Sequence, residues 1–305
     1  METEGKHTIS KIRRILLVFK SSKLDRYRDD GSLFARQNPS DEDVTLVYDR
    51  LKSAHNEHEQ SLEQAEAIFA AHGVEVLRAT QPTKADVRKV DLVVTLGGDG
   101  TFLWTARKVE STPMLGVNTA PDASIGHYCG ATVDTLENML DGITQGALEP
   151  ALLPRITFEI NGSLAPHCAL NDAFFAHRSP GASTRYLLRV GDTRETQVSS
   201  GVWVSTQSGS TGGISSAGGD IMDFGDSRMQ YLVSSPYERP NKPVRLRQGY
   251  SSEPLKFVSR SPNNAVYLDG PTLSYRLDFG SVLRMGIAPE PLRVFGYGRS
   301  TKTSN

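Results

Sequence analysis

Residues 97–101 read Gly-Gly-Asp-Gly-Thr. They stand between a short run rich in valine and leucine, residues 90–96, and a stretch in which Phe102, Leu103, Ala106 and Val109 recur at helical spacing. A short, continuously apolar run fits a parallel strand covered on both faces. The five residues are then a strand-to-helix turn, where free backbone N–H groups and the positive end of the helix dipole suit a phosphate. Gly97, Gly98 and Gly100 allow close approach that side chains would block. Asp99 is the odd member, because a carboxylate repels phosphate and a cradle made only for binding gains nothing from it. Asp99 either caps the following helix, where Asp is favoured, or has a functional part in the turn. The flanking glycines and Thr101 favour the second reading. Neither the P-loop pattern nor Gly-x-Gly-x-x-Gly is present, so another phosphate chemistry is expected.

Two further stretches are candidates. Residues 169–177, Ala-Leu-Asn-Asp-Ala-Phe-Phe-Ala-His, place Asn171 and Asp172 between apolar pairs, and residues 206–220 are dense in Gly, Ser and Thr. Taken alone, the first is a polar turn and the second a flexible loop. The apolar run 202–204 leads straight into the second, however, and a strand feeding hydroxyls and N–H groups suits ribose and phosphate. His55 and His58 lie three apart with Glu59 beside them, a spacing that can bring two ring nitrogens to one metal. A half-exposed helix edge is the simpler account, and no metal site is assigned.

The elements that must position these residues fall into two textures. Residues 12–119 alternate strand and helix, with strands at 15–19, 74–77, 90–96 and 113–118. Val44, Val47, Leu51, Ala54, His58, Leu62, Ala65 and Phe69 mark one long amphipathic helix, ended by Gly73. Strands separated by helices imply a parallel sheet with helices on both sides and a ligand at the carboxyl ends of its strands. A short helix at 136–143 follows. The period then changes to two, at Ile156, Phe158 and Ile160, with Asn161-Gly162 as a hairpin signal, and again at Leu188, Val190, Val202 and Val204. The expectation is α/β plus all-β: an α/β domain at 12–130, a mostly antiparallel β domain at 131–290 and a tail at 291–305. The polar segment 21–43 is expected to be a loop able to close over the site.

Composition narrows the class. A length of 305 residues suits two domains, and a net charge of −1 argues against nonspecific nucleic-acid binding, which needs a basic footprint. There is no run near the length of a membrane span and no apolar leader in the first residues; the last six residues are no recognisable address. Cys129 and Cys168 are too few for a disulfide framework, and they read as packed residues of a cytoplasmic protein.

In this order, Gly-Gly-Asp-Gly-Thr (97–101), Leu-Asn-Asp (170–172), Gly-Ser-Thr-Gly-Gly-Ile-Ser-Ser-Ala-Gly-Gly (209–219) and Tyr-Leu-Asp-Gly (267–270) resemble the NAD kinase family. That family phosphorylates the adenosine ribose 2′-hydroxyl of NAD or NADH. The resemblance runs from about residue 12 to about residue 290. Gly-Gly-Asp-Gly alone is shared with diacylglycerol kinase-like and phosphofructokinase-like proteins; the four elements together are specific. The resemblance implies the NAD kinase fold, a Rossmann-like N-terminal domain and a C-terminal β domain with the dinucleotide between them. It also implies ATP with Mg²⁺ and a homodimer or homotetramer.

By motif position Asp99 looks like the general base, with Gly97, Gly98, Gly100 and Thr101 around the nucleotide. Asn171 and Asp172 look like dinucleotide contacts, and Thr211, Gly212 and Ser216 fall at the ribose and nicotinamide pockets. The family's Gly-Asn-Leu-Gly-Phe turn is replaced by residues 119–130, from which Gly126, His127 and Tyr128 are taken as neighbours of the adenine. His127 and His177 are the better functional histidines. Ser199-Ser200-Gly201 stands where many relatives have Gly-Asp-Gly, and with the longer 119–130 turn it looks more like the plant NADH kinase branch. Ser200 in place of an acid removes a bias toward the charged oxidised ring, so NADH is expected to serve at least as well as NAD. The rival readings are a lipid kinase, whose acyl chain the hydroxyl-rich 206–220 loop would line badly, and a non-catalytic NAD(H) sensor, against which Asp99 argues.

Overall fold

A computed structural model of the chain describes residues 12–29, 31, 42–238, 240 and 243–298. The chain forms two compact units, residues 1–152 with 292–305, and residues 153–291. In chain order the first unit contains β1 (Arg14–Phe19), α1 (Lys23–Asp29), α2 (Glu42–Ala71), β2 (Glu75–Ala79), α3 (Lys84–Val87), β3 (Leu92–Leu96), α4 (Asp99–Ala106), β4 (Met114–Asn118), β5 (Cys129–Thr132) and α5 (Val133–Thr144), and the division falls within β6 (Ala151–Leu153). The second contains β7 (Ile156–Ile160), β8 (Ser163–Leu164), β9 (Asp172–His177), β10 (Thr184–Val190), β11 (Thr193–Ser199), β12 (Gly201–Ser205), α6 (Gly213–Ser216), β13 (Met229–Ser234), β14 (Gln248–Ser251), β15 (Leu255–Ser259), β16 (Asn264–Leu268), β17 (Ser274–Leu277) and β18 (Val282–Ile287). The chain then returns to the first unit as β19 (Leu292–Phe295).

The first sheet has the order β2-β1-β3-β4-β19-β6, with β5 beside β4. Its pairings β1–β2, β1–β3, β3–β4, β4–β5 and β4–β19 are all parallel. Every residue of β3 and of β4 is buried, the condition that lets continuous Val/Leu runs serve as strands. α2 turns His58, Ser61, Ala65 and Phe69 inward at spacings of three and four. Its first turns do not join that face, since Val44, Leu46 and Val47 are exposed.

The second unit is two six-stranded antiparallel sheets, ordered β11-β10-β15-β18-β7-β8 and β14-β13-β12-β9-β16-β17. Their shared core includes Phe158, Phe175, Tyr186, Val204, Phe257 and Met285. Asn161 and Gly162 have φ of 52° and 84°, as a two-residue hairpin turn between right-twisted strands requires.

Three boundaries differ from the sequence reading. The units divide at Leu152/Leu153 and not at 130, because β5 pairs with β4 and α5 packs on that sheet's core through Leu136, Leu140 and Ile143. Residues 291–305 are not simply a tail, because β19 pairs with β4 and buries Leu292, Val294 and Phe295. Within 21–43, Lys23–Asp29 is helical with Leu24 buried; the expected closing loop otherwise lies largely outside the described residues. No helix among the described residues is long and apolar enough to cross a membrane.

Candidate active site

β3 delivers its chain into the glycine turn, and the three glycines there have different reasons. Gly97 has φ +143°, and a Cβ on it would lie 2.7 Å from Thr101 Oγ1. Gly98, the residue before α4, would bring a Cβ to 2.6 Å from Ser124 Oγ. Gly100 is exposed, its φ is not in the left-handed range, and a Cβ there would meet nothing within 4 Å. Glycine within a helix costs about 0.5–1 kcal/mol relative to alanine, and nothing in the described chain demands one at this position. The turn therefore presents bare backbone outward at Gly100. Thr101 is buried beneath it.

Asp99 does not cap α4, whose N-cap Gly98 makes no side-chain bond. Its Oδ2 accepts the His127 backbone N–H at 2.9 Å and its Oδ1 accepts that of Tyr128 at 2.8 Å. The carboxylate is thus aimed and held by the 119–130 loop. Each oxygen keeps a further lone pair for an incoming hydroxyl. Asn118 braces the same loop, its Nδ2 donating to the Ser124 carbonyl at 2.9 Å, and Gly126 (φ +62°) passes so close that a Cβ would fall 2.5 Å from that Nδ2.

Of the three residues expected near an adenine, Tyr128 needs correction. Its ring is 1% exposed and stacks on Phe102 with centroids 5.5 Å apart, so it supports the turn from below. His127 is partly exposed, and its Nε2 lies 3.1 Å from the Tyr297 hydroxyl. Tyr297 follows β19 and went unnoticed in the sequence; its one local signal is an aromatic between Gly296 and Gly298. Burial, and then the nearby charge of Asp99, push its phenol up to about 12.

Lys20 was also missed. It follows β1, and its Nζ donates to the Gly100 carbonyl at 3.3 Å while lying 4.6 Å from the centroid of the Trp104 ring. Burial first, then the charges of Arg26 and Arg107, bring its amine down to about 8. His58 is buried, with Nδ1 2.9 Å from Thr119 Oγ1 and Nε2 3.0 Å from the Lys20 carbonyl, and burial lowers its pKa. It is a structural histidine. His55 turns away from it to Ser22 and Asp25, and Asp25, His55 and Glu59 bring ligand atoms within 4.8 Å of one another. That replaces the His55–His58 pairing which the spacing suggested.

In the second unit Asn171 and Asp172 are pinned by Asp269, a residue of the Tyr-Leu-Asp-Gly element. Asp269 Oδ1 accepts the N–H groups of Leu170 at 3.0 Å and Asn171 at 2.8 Å, and the Asp269 N–H returns to the Asp172 carbonyl at 2.9 Å. Asp269 itself has φ +47°, a conformation Asp tolerates better than most residues. Asn171 Nδ2 donates to Asp172 Oδ2 at 2.8 Å. Burial, followed by the charge of Asp269, raises Asp172 to about 6, opposed by hydrogen bonds from Gly213 and Asn171.

The 206–220 segment is not a flexible loop at its start. Ser208 and Ser210 are fully buried, bonded to the carbonyls of Leu170 and Gln207. A Cβ at Gly209 would fall 1.5 Å from the Asn171 carbonyl oxygen, one at Gly212 2.7 Å from Asn171 Nδ2, and one at Gly213 2.8 Å from the Trp203 ring. Thr211 and Ser216 are exposed beside these contacts. The structure therefore gathers Asn171, Asp172, Thr211 and Gly212, with Ser216 ending α6. His177 is not among them, since it lies at the opposite end of β9 from Asp172. Ser200 is likewise separated from Thr211, because it precedes β12 and the loop follows it; five strand residues span roughly 17 Å.

The chain is similar to known proteins over most of its length. Residues 33–148 match the ATP-NAD kinase N-terminal domain. The chain is 29% identical over 262 residues to a probable NADH kinase of Oryza sativa subsp. japonica, covering 78% of this chain and 81% of that one. It is 31% identical over 209 residues to an NAD kinase of Porphyromonas gingivalis, covering 67% of this chain and 70% of that one. The chain belongs to the NAD kinase family. The fold of an NAD kinase from Archaeoglobus fulgidus, solved in complex with ATP, superposes with a TM-score of 0.68 at 20% identity, over 94% of this chain and 95% of that one. The NAD kinase fold is thereby shown for the chain as a whole.

Proposed function

We propose that the chain is an ATP-dependent kinase that phosphorylates the adenosine ribose 2′-hydroxyl of NADH or NAD, giving NADPH or NADP. The observation that carries the reading is a carboxylate, Asp99, held in place by two backbone N–H groups at a glycine turn on the carboxyl end of a parallel strand. A hydroxyl is a poor nucleophile until its proton has somewhere to go. Asp99 accepts that proton as the 2′-oxygen bonds to the γ-phosphorus and the bond to the ADP oxygen breaks. Gly97, Gly98 and Thr101 shape the turn, and the bare backbone at Gly100 lets the donor's phosphates come close. By motif position Asn171, Asp172, Thr211, Gly212 and Ser216 are the dinucleotide residues of the second unit, and Gly126 and His127 are those of the first.

Mg²⁺ fits this donor set, because it is commonly held by substrate phosphates with only one or two carboxylates, and Asp99 has lone pairs beyond those it uses. Bound, it neutralises charge on the transferring phosphoryl group. Similarity to a probable plant NADH kinase supports NADH as an acceptor. A homodimer or homotetramer in the cytoplasm completes the reading, on the family resemblance and on two cysteines that form no disulfide.

The test is purified chain with ATP and Mg²⁺ and, in parallel, NAD, NADH or diacylglycerol. NADP(H) is read by enzymatic cycling and lipid phosphate by extraction. Formation of NADP or NADPH is expected; phosphorylated lipid, or binding of NAD(H) without turnover, would replace the proposal with one of its rivals.

A further inference from the structure

The cationic side of the glycine turn has no part in the reading so far. β1 and β3 are parallel neighbours with Phe19 opposite Leu96, so the residue after each strand, Lys20 and Gly97, emerges at the same level of the sheet. Lys20 Nζ meets the Gly100 carbonyl at 3.3 Å, at the one glycine of the turn where a side chain would meet nothing. An ammonium has three N–H donors, and this carbonyl uses one of them. The Trp104 ring, 4.6 Å away, takes the other side of the cation.

We infer that Lys20 binds the phosphoanhydride chain of the phosphoryl donor against the open backbone of Gly100. The inference rests on the proposed kinase reaction but concerns the donor, not the acceptor.

Its surroundings argue for a polyanion. Lys20 is partly buried with Arg26 of α1 and Arg107 at the end of α4 near enough to disfavour its charge, and no acid among its dominant influences restores it. Arg107 is itself 8% exposed. Lys20 is half-buried and Arg26 is exposed, so these like charges repel one another across a surface that a ligand can reach, and a ligand carrying several negative charges offsets that repulsion. A triphosphate matches such a site; a neutral or singly charged ligand does not.

A proton follows the donor. The free amine titrates near 8, and a polyanion beside it raises that value. At pH 8–9, donor binding therefore takes up part of a proton, and donor affinity falls as pH rises through this range. Of the groups that face Lys20, the two arginines stay charged there, and His58, whose ring contacts the Lys20 carbonyl, is lowered and stays neutral. The linkage belongs to the lysine.

The experiment uses the full chain as wild type, Lys20→Met and Lys20→Arg. With NADH as acceptor, Lys20→Met is expected to raise the KM for ATP at least tenfold and to leave the KM for NADH within twofold, while Lys20→Arg recovers more than half of the loss on a logarithmic scale. An unchanged KM for ATP in Lys20→Met overturns the inference. Calorimetry at pH 8.5 in excess Mg²⁺, which keeps both ligands fully ionised, and in two buffers of different ionisation enthalpy, measures protons taken up with ATP and with inorganic tripolyphosphate. Uptake with both ligands in wild type and none in Lys20→Met is expected. Absent uptake in wild type, equal uptake in Lys20→Met, or dependence on Lys20 for ATP alone each overturns it. Lys20-dependent tripolyphosphate binding by a chain that phosphorylates neither NAD nor NADH would uphold the inference and remove the proposed acceptor. Kinase activity with an unchanged Lys20→Met would do the reverse.

Discussion

The two glycine-rich loops look alike as strings of letters and differ as objects. At 209–213 the glycines are pressed against the Asn171 backbone, its side chain and the Trp203 ring, and Ser208 before them and Ser210 among them bond inward. At 97–101 two glycines are similarly required by Thr101 and Ser124, but the third, Gly100, faces open space. Glycine in the second unit lets the protein approach itself. At Gly100 the protein gains nothing from glycine, and the open space is useful only to something that arrives.

The sharpest way to break this comparison is Gly209→Ala. Its new methyl would fall on a backbone oxygen that has no rotamer to escape through, so a loss above about 4 kcal/mol, or no folded protein, is expected. Thermal unfolding followed by near-ultraviolet circular dichroism decides, and a normal melt would mean that this loop is as slack as Gly100.

Asp99→Asn comes next, with kcat expected to fall roughly 10²- to 10⁴-fold at saturating substrates. Asparagine also presents an NH₂ to one of two N–H groups that now meet oxygens, so stability should drop by about 1–3 kcal/mol. A variant with more than half the wild-type kcat but a lowered melting temperature would reduce Asp99 to a strap.

A smaller effect tests the second unit alone. Asp172 is raised to about 6 in the folded chain from 3.8, so the folded state holds more protons between those values and stability falls as pH rises from about 4 to about 6. A displacement of that size corresponds to about 3 kcal/mol at most. Urea titrations at pH 4.5 and 7 should show this loss in wild type and a smaller one in Asp172→Asn; the same loss in both proteins would mean that the burial is not felt. The smallest effect is Gly100→Ala, expected to stabilise by about 0.5–1 kcal/mol while raising the KM for ATP. Destabilisation would show that the protein needed this glycine after all.

What could be read in advance follows from range. The strand, turn and helix at 90–109 carry their signals within twenty residues, and so do α2 from His58 onward and the Asn161-Gly162 hairpin. Composition suggested a phosphate turn without showing that Asp99 would be held by the N–H groups of residues 127 and 128. Asp269, Tyr297 and Lys20 act on partners 80 to 170 positions away, and no local period announces that. α1 escaped notice because only Leu24 of its seven residues is buried. Val44 and Val47 fit the helical period and still face outward, since periodicity reports which residues share a face and not whether anything covers it.

β19 has a consequence for how the chain is made. A strand lying between β4 and β6 and parallel to β4, with Phe295 in the core and Gly130 packed on the backbone at Gly296, is absent until residues 292–296 have been synthesised. During translation the first unit waits with an incomplete sheet, β4 open to pairing at Met114 and Leu115 while β5 covers the rest of that edge, and the second unit is assembled from the residues between. Order of synthesis and order of completion are therefore reversed: the unit begun first is closed last, and a released chain truncated before residue 292 would carry the strands of the β unit tethered to an open sheet with an edge able to pair with another chain.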